Sequence, residues 1–160
     1  MGYYHNLSYR RATFDDCDLL FTWANDVTVR NNAHNKEPIT YDSHITWLKD
    51  KLNSSDSWIF ILINNDISIA LLRLDKKEND VLLTYSVALE YRKKGFALEI
   101  INMLPDIIKR EGIQCENIIA DVYKTNTASI KIFQKTGYEK HDNKTFYTFK
   151  KNVARKVTNE

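Results

Sequence analysis

Apolar positions along the chain recur with two different periods. Short runs rich in β-branched and aromatic residues, with alternate positions apolar, predict β-strands. The predicted strands are residues 7–14, 58–63, 67–74, 81–88, 117–123, 138–141 and 146–149. Runs in which apolar residues recur every three or four positions predict amphipathic helices. We predict these helices from Thr13 or Asp15 to Asp26, from Thr40 or Asp42 onward, after Gly95, and from Asn126 to Gly137.

This order of elements predicts a mixed α/β fold in one domain, because a chain of 160 residues suits a single core. We place the domain at residues 1–150 and a polar, frayed tail at 151–160. Residues 27–40 are polar and predict an irregular loop, either a binding loop or a plain connector. Pro105 predicts a kink in the helix after Gly95, or an end to its regular part.

Composition and charge exclude several classes of protein. The net charge is +2 and the basic residues are spread along the chain, which argues against a nucleic-acid partner. The longest apolar run, residues 58–63, is too short to span a bilayer, and the N-terminus lacks a signal-peptide core. We therefore expect a cytoplasmic protein without a membrane partner. Cys17 and Cys115 lack metal-site spacing, so we expect reduced structural thiols and no metal.

Residues 92–97 form a basic glycine turn between a predicted strand and a predicted helix. A helix N-terminus leaves N–H groups unpaired and carries partial positive charge. Gly95 and Ala97 have little side chain, so a phosphate can approach the backbone amides. Arg92, Lys93 and Lys94 add mobile positive charge. The turn is therefore a candidate anion site; the alternative is a solvated turn before a surface helix.

A second strand–loop–helix element spans residues 121–138 and ends with glycine at the helix C-terminal position. The two elements, in this order and spacing, resemble the GNAT family, the acetyl-CoA-dependent N-acetyltransferases. The turn at residues 92–97 matches that family's coenzyme A pyrophosphate loop, and the resemblance extends over about residues 7–150. The residues in the register of the family's second motif are Asn126, Ser129, Phe133, Gly137 and Tyr138.

The resemblance implies a GNAT fold, a mixed splayed sheet flanked by helices, with acetyl-CoA as co-substrate. It implies that the pantetheine arm enters a gap between strands 81–88 and 117–123. By family position, the Tyr85 backbone N–H is the expected oxyanion donor, and Val87 backbone groups are expected to pair with pantetheine amides. The other implied coenzyme contacts are Arg92, Lys93, Lys94, Gly95, Phe96, Ala97, Asn126, Ser129 and Phe133. For Asn126 the alternative is helix N-capping, and for Ser129 a neutral surface position.

Phe133 departs from the family pattern, since many members carry tyrosine there to reprotonate the leaving thiolate. Phenylalanine cannot donate a proton. Tyr85, Tyr123 and Tyr138 are possible substitutes, with packing of the ring as the alternative for each. The thiolate could also take its proton from water or from the new ammonium.

Asp121 is the carboxylate nearest the predicted gap, and we predict it as the general base. Partial burial in a strand would raise the pKa of its carboxyl toward useful values. The alternative is a solvent-facing or salt-bridged aspartate. His34, Glu37 and His44 are weaker candidates for the base.

A further resemblance concerns the amine substrate. Part of the chain is similar to acetyltransferases of nonulosonic-acid (pseudaminic-type) sugar pathways. The similar positions are residues 23–26 and 29–30, Pro38, Ile39, His44 and residues 47–48. More loosely, they are similar to the acetyltransferases of ribosomal-protein N-termini. The first group acetylates the 4-amino group of a nucleotide-linked deoxyamino sugar, which implies substrate contacts by Arg30, His34 and Trp47. The alternative is that Arg30 and the tryptophans merely close the helical layer.

The chain is therefore expected to be an N-acetyltransferase that moves an acetyl group directly to a primary amine, most simply that of a nucleotide-linked amino sugar. A protein N-terminal or polyamine acetyltransferase is the first alternative. A non-catalytic acyl-CoA-binding protein is the second. Whether the chain forms a homodimer stays open.

Overall fold

The computed structural model describes residues 6–154, which form one seven-stranded sheet with helices on both faces. Its strands are β1 (Leu7–Arg11), β2 (Ser57–Asn64), β3 (Ile67–Lys77), β4 (Asp80–Val87), β5 (Asn117–Tyr123), β6 (Glu139–Asp142) and β7 (Phe146–Asn152). Its helices are α1 (Cys17–Ala24), α2 (Val27–Asn31), α3 (Tyr41–Asn53), α4 (Phe96–Arg110) and α5 (Thr127–Lys135), with 3₁₀ turns at Phe14–Asp16 and Leu89–Tyr91. The mixed α/β layout predicted from the sequence is confirmed.

The strands lie in the order β1-β2-β3-β4-β5-β7-β6, and every neighbouring pair is antiparallel except β4 and β5. Strand β2 shows how both faces are buried, since Phe60 and Leu62 belong to one core cluster and Ile59 and Ile61 to another. The larger cluster includes the apolar face of α4 and Phe133 of α5. The smaller cluster contains buried residues of α1 and α3.

Several boundaries follow local signals in the sequence. The β2–β3 hairpin turns at Asn65 and Asp66, both with positive φ, as the short polar turn predicted. The Thr40 hydroxyl accepts a hydrogen bond from the Ser43 N–H and so caps α3. Strand β5 has its predicted bounds, and Gly137 has the positive φ that commonly ends a helix.

Other expectations were wrong. Residues 27–31 are not irregular, because they form α2, whose N-cap is Asp26. Of the two outcomes predicted for Pro105, an end to the regular helix is wrong, because α4 continues to Arg110, whereas a kink stays a prediction. Proline costs a helix about 3 kcal/mol, whereas burial of Ile107 and Ile108 beyond it contributes roughly 1.5–3 kcal/mol each. Packing on the sheet therefore outweighs the proline.

The predicted ends of the chain are only partly described. Strand β7 runs to Asn152, so the first residues of the predicted tail belong to the sheet. The rest of that tail, residues 155–160, and the first five residues of the predicted domain lie outside the described residues.

The feature that positions the site is the short pairing of β4 with β5. These parallel strands pair only where Val81 and Leu82 face Ile118 and Ile119. Beyond that point β4 continues beside β3, and β5 continues beside β7. The splayed sheet expected from the family resemblance is thus present, with its gap where it was predicted.

Tyr138 provides a test of the core next to α5. Its side chain is buried, and among the described residues its hydroxyl has no hydrogen-bond partner. Burying a hydroxyl without a partner costs about 1–3 kcal/mol. We therefore expect Tyr138→Phe to raise the free energy of unfolding by about 1 kcal/mol, measured by urea denaturation.

The matched control is Tyr147→Phe, because the Tyr147 ring is only half-buried. This variant should change the free energy of unfolding by less than about 0.5 kcal/mol. A loss of stability in Tyr138→Phe would contradict the assignment, since it would mean that the hydroxyl has a partner.

Candidate active site

A cavity of about 840 Å³ opens where β4 and β5 separate. Its walls come from four parts of the fold: α2, the end of β4, the turn before α4 with the first residues of that helix, and one face of α5 along its length. The predicted site residues among its lining are Tyr85, Val87, Arg92, Lys93, Gly95, Phe96, Ala97, Asn126 and Ser129. Both sequence elements that suggested a site therefore face one cavity.

The edge of β4 supplies backbone groups to this cavity. The Ala88 N–H donates to the Ile69 carbonyl at 2.8 Å, so Ala88 faces β3. Because backbone groups in an antiparallel pair alternate in direction, those of Tyr85 and Val87 point away from β3, toward the gap. These are the two positions expected to serve as oxyanion donor and pantetheine partner, and their backbone orientation suits both roles.

The turn before α4 has the geometry of an anion site. Lys93 has φ 61° and Gly95 has φ 84°, so the chain turns twice through the left-handed region before the helix begins. Gly95 is the N-cap of α4 and has no side chain with which to cap its N–H groups. Lys131 and Lys135, one turn apart on α5, also line the cavity. Among the lining residues that the structure describes, none is Asp or Glu.

Arg92 does not supply the mobile charge that the sequence predicted. Its Nε donates to the Val87 carbonyl at 2.9 Å, and its Nη2 donates to Asp26 Oδ1 at 2.8 Å. The Lys94 ammonium lies 5.7 Å from the centre of the Tyr91 ring and is not part of the cavity lining. Of the three basic residues in the turn, Lys93 is the one that lines the cavity and is free to bind an anion. Within residues 6–154 its side chain makes no hydrogen bond or ion pair.

Helix α5 forms the opposite wall. The Asn126 side-chain oxygen accepts from the Ser129 N–H at 3.3 Å, so Asn126 is an N-cap, as its alternative role predicted. Its amide NH₂ group is a donor that this bond does not use. Ser129 Oγ lies 2.7 Å from the Tyr85 hydroxyl and joins α5 to β4 across the gap. Burial raises the pKa of Tyr85, and the bond to Ser129 only partly opposes this, so its phenol stays protonated at neutral pH.

Phe133 lies in the core and not in the cavity lining. Its ring centre is 4.9 Å from that of Tyr138 and 5.2 Å from that of Phe149. The expectation that Phe133 contacts the coenzyme is therefore not supported by its position. Of the three tyrosines weighed as proton donors in its place, Tyr85 lines the cavity, whereas Tyr123 and Tyr138 do not.

Asp121 is exposed on β5, so the partial burial expected for it is absent. Its Oδ1 accepts a hydrogen bond of 2.8 Å from the Thr148 hydroxyl on neighbouring β7. It does not line the cavity. This environment matches the alternative of a solvent-facing strand aspartate.

The segment between α1 and α3 is held by its own polar groups. Asn25 makes two hydrogen bonds with the backbone of Ile39, at 2.9 and 2.7 Å. The Arg30 guanidinium donates to the carbonyls of Ala24 at 2.7 Å and Asn35 at 3.0 Å. Arg30 therefore closes this segment, in line with its structural alternative.

His34 is the residue of this segment that contacts β5. Its Nδ1 is 2.9 Å from the Tyr123 hydroxyl, and its ring also contacts Phe146. The ring is exposed, which leaves it accessible to a substrate. Its role as a substrate contact stays a prediction.

Trp47 lies on the other side of the molecule from the gap-lining residues of α5. It packs against the smaller core cluster, stacks on His44 and lies beneath the Arg73 guanidinium. His44 itself is buried, with Nε2 3.0 Å from the Cys17 carbonyl. These contacts favour packing over substrate binding for Trp47, and they remove His44 from the candidates for the base.

Sequence reasoning missed the wall that α2 contributes through Thr28, Val29 and Asn32. The available signal was Asp26, a strong N-cap residue directly before a short run of β-branched residues. It also missed Lys131 and Lys135, whose spacing of four places them on one face of α5.

A smaller cavity of about 260 Å³ shares Val87 and Arg92 with the main cavity. It is bounded on its other side by Trp23 and Asp26 from the α1–α2 region, and by Glu90. It therefore carries carboxylates, which the lining of the main cavity lacks.

Neither thiol lies at these cavities. Cys17 is buried. Cys115 is half-buried, and this burial, with a smaller effect of the Asp80 charge, raises the pKa of its thiol. Within residues 6–154 no cluster of three or more His, Cys, Asp or Glu side chains could hold a metal. Over the same residues, no helix combines the length and apolar character needed to cross a membrane.

Comparison with known proteins agrees with this architecture. Residues 6–139 match the sequence profile of the family described as "Acetyltransferase (GNAT) domain". No curated protein matches the chain in sequence.

Solved structures share the fold at low identity. The spermidine N-acetyltransferase of Vibrio cholerae, in complex with CoA and spermine, superposes with a TM-score of 0.82 at 15% identity, covering 92% of this chain and 96% of that one. An aminoglycoside acetyltransferase in complex with coenzyme A gives 0.77 at 14% identity, covering 92% and 95%. An N-acetyltransferase of Staphylococcus aureus gives 0.75 at 18% identity, covering 92% and 99%.

Proposed function

Because this chain belongs to the GNAT family of acetyltransferases, we propose that it transfers the acetyl group of acetyl-CoA directly to a primary amine. The observation that carries the proposal is the single cavity shared by the edge of β4 that has no strand partner and the N-terminus of α4. An acyl thioester with a diphosphate needs these two surfaces, one for its amides and carbonyl and one for its phosphates.

The proposed coenzyme site uses residues on both walls of the cavity. The diphosphate would lie at the turn, on the backbone of Gly95 and Ala97, with Lys93 as a charged partner. Lys131 and Lys135 add positive charge on the α5 side. The pantetheine arm would follow the Tyr85–Val87 edge, within reach of the Asn126 amide. Bound there, acetyl-CoA supplies the activated acetyl group.

The protein's own contribution to the reaction is position and electrostatics. The Tyr85 backbone N–H, directed into the gap, would stabilise the oxyanion that forms on the acetyl carbonyl. As the C–N bond forms and the C–S bond breaks, the protonated Tyr85 phenol, which is bonded to Ser129, would donate its proton to the leaving thiolate. The proton that the acetylated amine then loses would restore the phenol, so that the amine proton in effect ends on sulfur. A direct transfer is supported because both cysteines are buried or half-buried away from the cavity.

We propose a nucleotide-linked amino sugar as the acceptor. Its support is that none of the lining residues that the structure describes is Asp or Glu, the side chains that would hold a polycation. Because the lysines of this lining are assigned to the coenzyme, the acceptor side is left with uncharged polar groups, which suit a sugar with hydroxyl groups better than a polycation. Thr28, Asn32 and Ser86 offer hydrogen bonds of the kind that sugar hydroxyls accept and donate.

A polyamine is the second candidate. The observation that favours it is the smaller cavity, where Glu90 and Asp26 are carboxylates beside Trp23. Asp26 is already paired with Arg92, which leaves Glu90 as the carboxylate for an ammonium group. One carboxylate is a weak match for an acceptor with several charges, so the amino sugar ranks first.

The proposal predicts acetyl-CoA-dependent thiol release that requires an amine. In a panel containing a nucleoside-diphosphate amino sugar, spermidine and an N-terminal peptide, kcat/KM for the amino sugar should be the highest by about a hundredfold. Intact-protein mass spectrometry with acetyl-CoA alone should show no acetylated cysteine. If activity is highest with spermidine, the acceptor is a polyamine and not an amino sugar. Binding of acetyl-CoA without thiol release for any amine would contradict the enzymatic function.

The coenzyme site predicts a specific effect of Gly95→Ala. A Cβ at this position would obstruct the approach of a phosphate to the turn, so we expect acetyl-CoA affinity, measured by calorimetry, to fall at least tenfold, or about 1.4 kcal/mol. Placing alanine at positive φ also costs roughly 1–2 kcal/mol of stability.

Gly112→Ala is the matched control for that strain. Gly112 has φ 66°, and an added Cβ would meet nothing within 4 Å. This variant should lose similar stability but keep the parental affinity. Equal affinities in the two variants would show that the diphosphate does not lie at Gly95.

The environment of Asp121 predicts that Asp121→Asn keeps turnover within about threefold of the parent. The carboxylate is exposed, and asparagine can still accept the hydrogen bond from Thr148. Loss of a positioned general base costs about 100- to 10,000-fold. A loss of that size, with a shifted pH profile, would restore Asp121 as the base.

A further inference from the structure

One ion pair joins the coenzyme turn to the acceptor wall. Arg92, at the start of the turn, donates to Asp26 Oδ1 at 2.8 Å, and the same oxygen accepts from the N–H groups of Thr28 at 3.1 Å and Val29 at 3.2 Å. Arg92 also donates to the Val87 carbonyl at 2.9 Å. We call this set of bonds the Asp26–Arg92 clamp. It connects the end of β4, the turn before α4 and the N-terminus of α2.

The clamp is half-buried and ionised. The side chains of Arg92 and Asp26 are 24% and 21% exposed. Burial alone would raise the pKa of Asp26, but the Arg92 guanidinium and the two backbone N–H groups together hold it below its ordinary value. Ion pairs shielded in this way are screened less by salt than those on an open surface.

Helix α2 needs such a tie because it lacks core packing. It has five residues, none of them buried, and Val27 is 74% exposed. A helix of this length is unstable alone and here cannot be positioned by apolar burial. Its first turn is held by Asp26, and Arg30 near its C-terminus is bonded to Ala24 and Asn35. Yet Thr28, Val29 and Asn32 form a wall of the main cavity.

We infer that Arg92 is a positioning residue for the acceptor, in that its guanidinium holds α2 against the end of β4 and does not bind a coenzyme phosphate. The inference rests on the proposed acetyl transfer, since it assigns α2 to the acceptor side of that reaction. Breaking the clamp should weaken acceptor binding in the ground and transition states alike. That effect raises KM for the amine while kcat changes little.

Asp26→Asn is the sharpest variant, because asparagine is as good an N-cap as aspartate but cannot form the ion pair. We expect KM for the amine to rise about tenfold, because the neutral amide oxygen of asparagine is a weaker acceptor for the Arg92 guanidinium than the carboxylate. Acetyl-CoA affinity, measured by calorimetry, should stay within twofold of the parent. Arg92→Gln should behave in the same way. The double variant should be no worse than either single one, because both remove the same bond.

Asp18→Asn is the control, since Asp18 is an exposed carboxylate of α1 bonded to the Tyr41 hydroxyl and lies outside the clamp. It should leave both constants unchanged. If Arg92 binds a phosphate instead, Arg92→Gln will weaken acetyl-CoA binding at least tenfold while KM for the amine is unchanged. Asp26→Asn will then release the guanidinium and tighten coenzyme binding. Either result would overturn the inference.

A second readout does not depend on activity. Amide exchange over residues 27–32 should be faster by about tenfold in Arg92→Gln than in the parent and in Asp18→Asn. If the parent shows no acetyl transfer, the proposed function fails, and this measurement still decides whether the clamp holds α2. Unchanged exchange would refute the clamp even in an active enzyme.

Discussion

The separation of β4 from β5 is the constraint on which the rest of the structure depends. The two strands share only two residue pairs and then diverge, which leaves one edge of β4 without a strand partner in the middle of the sheet. Such an edge is tolerated only where something else can meet its N–H and C=O groups. Two of the parts that line the cavity lie next to this edge along the chain, because the basic turn follows β4 after one 3₁₀ turn and α5 follows β5 after a short loop. The sheet remains intact around the gap because two core clusters bury its opposite faces.

Local signals predicted much of this arrangement. The polar turn at Asn65, the N-cap at Thr40 and the glycine at position 137 each determine backbone geometry through nearby atoms, so the sequence was sufficient there. The same holds for the glycine turn at residues 92–97, which was predicted to precede a helix and does so, with Gly95 as the N-cap of α4.

The errors arose where distant contacts decide the outcome. The N-cap of α2 is a local signal, but the bond that joins it to the end of β4 is not, because Asp26 accepts from a residue 66 positions away. Pro105 is tolerated because the residues beyond it are buried, and the carboxylate of Asp121 bonds to Thr148, a residue 27 positions away on β7. Arg92 was predicted to bind a phosphate because its actual partner, Asp26, is remote in sequence. The residues that suggested an amino-sugar enzyme, among them Asn25 and Arg30, prove to bond to backbone carbonyls and amides of their own segment.

That self-bonding has an evolutionary consequence. The Asn25 side chain makes hydrogen bonds with the backbone of Ile39. The two ends of the segment 25–39 are therefore in contact, just before α3 begins. The entropy of closing such a loop grows slowly with its length, by about 0.6 kcal/mol for each doubling. A change in the length of this segment is therefore expected to cost little free energy of folding, as long as its contact through His34 with Tyr123 of β5 is kept. Any replacement of this segment that keeps an acidic residue at position 26 would retain its bond to Arg92.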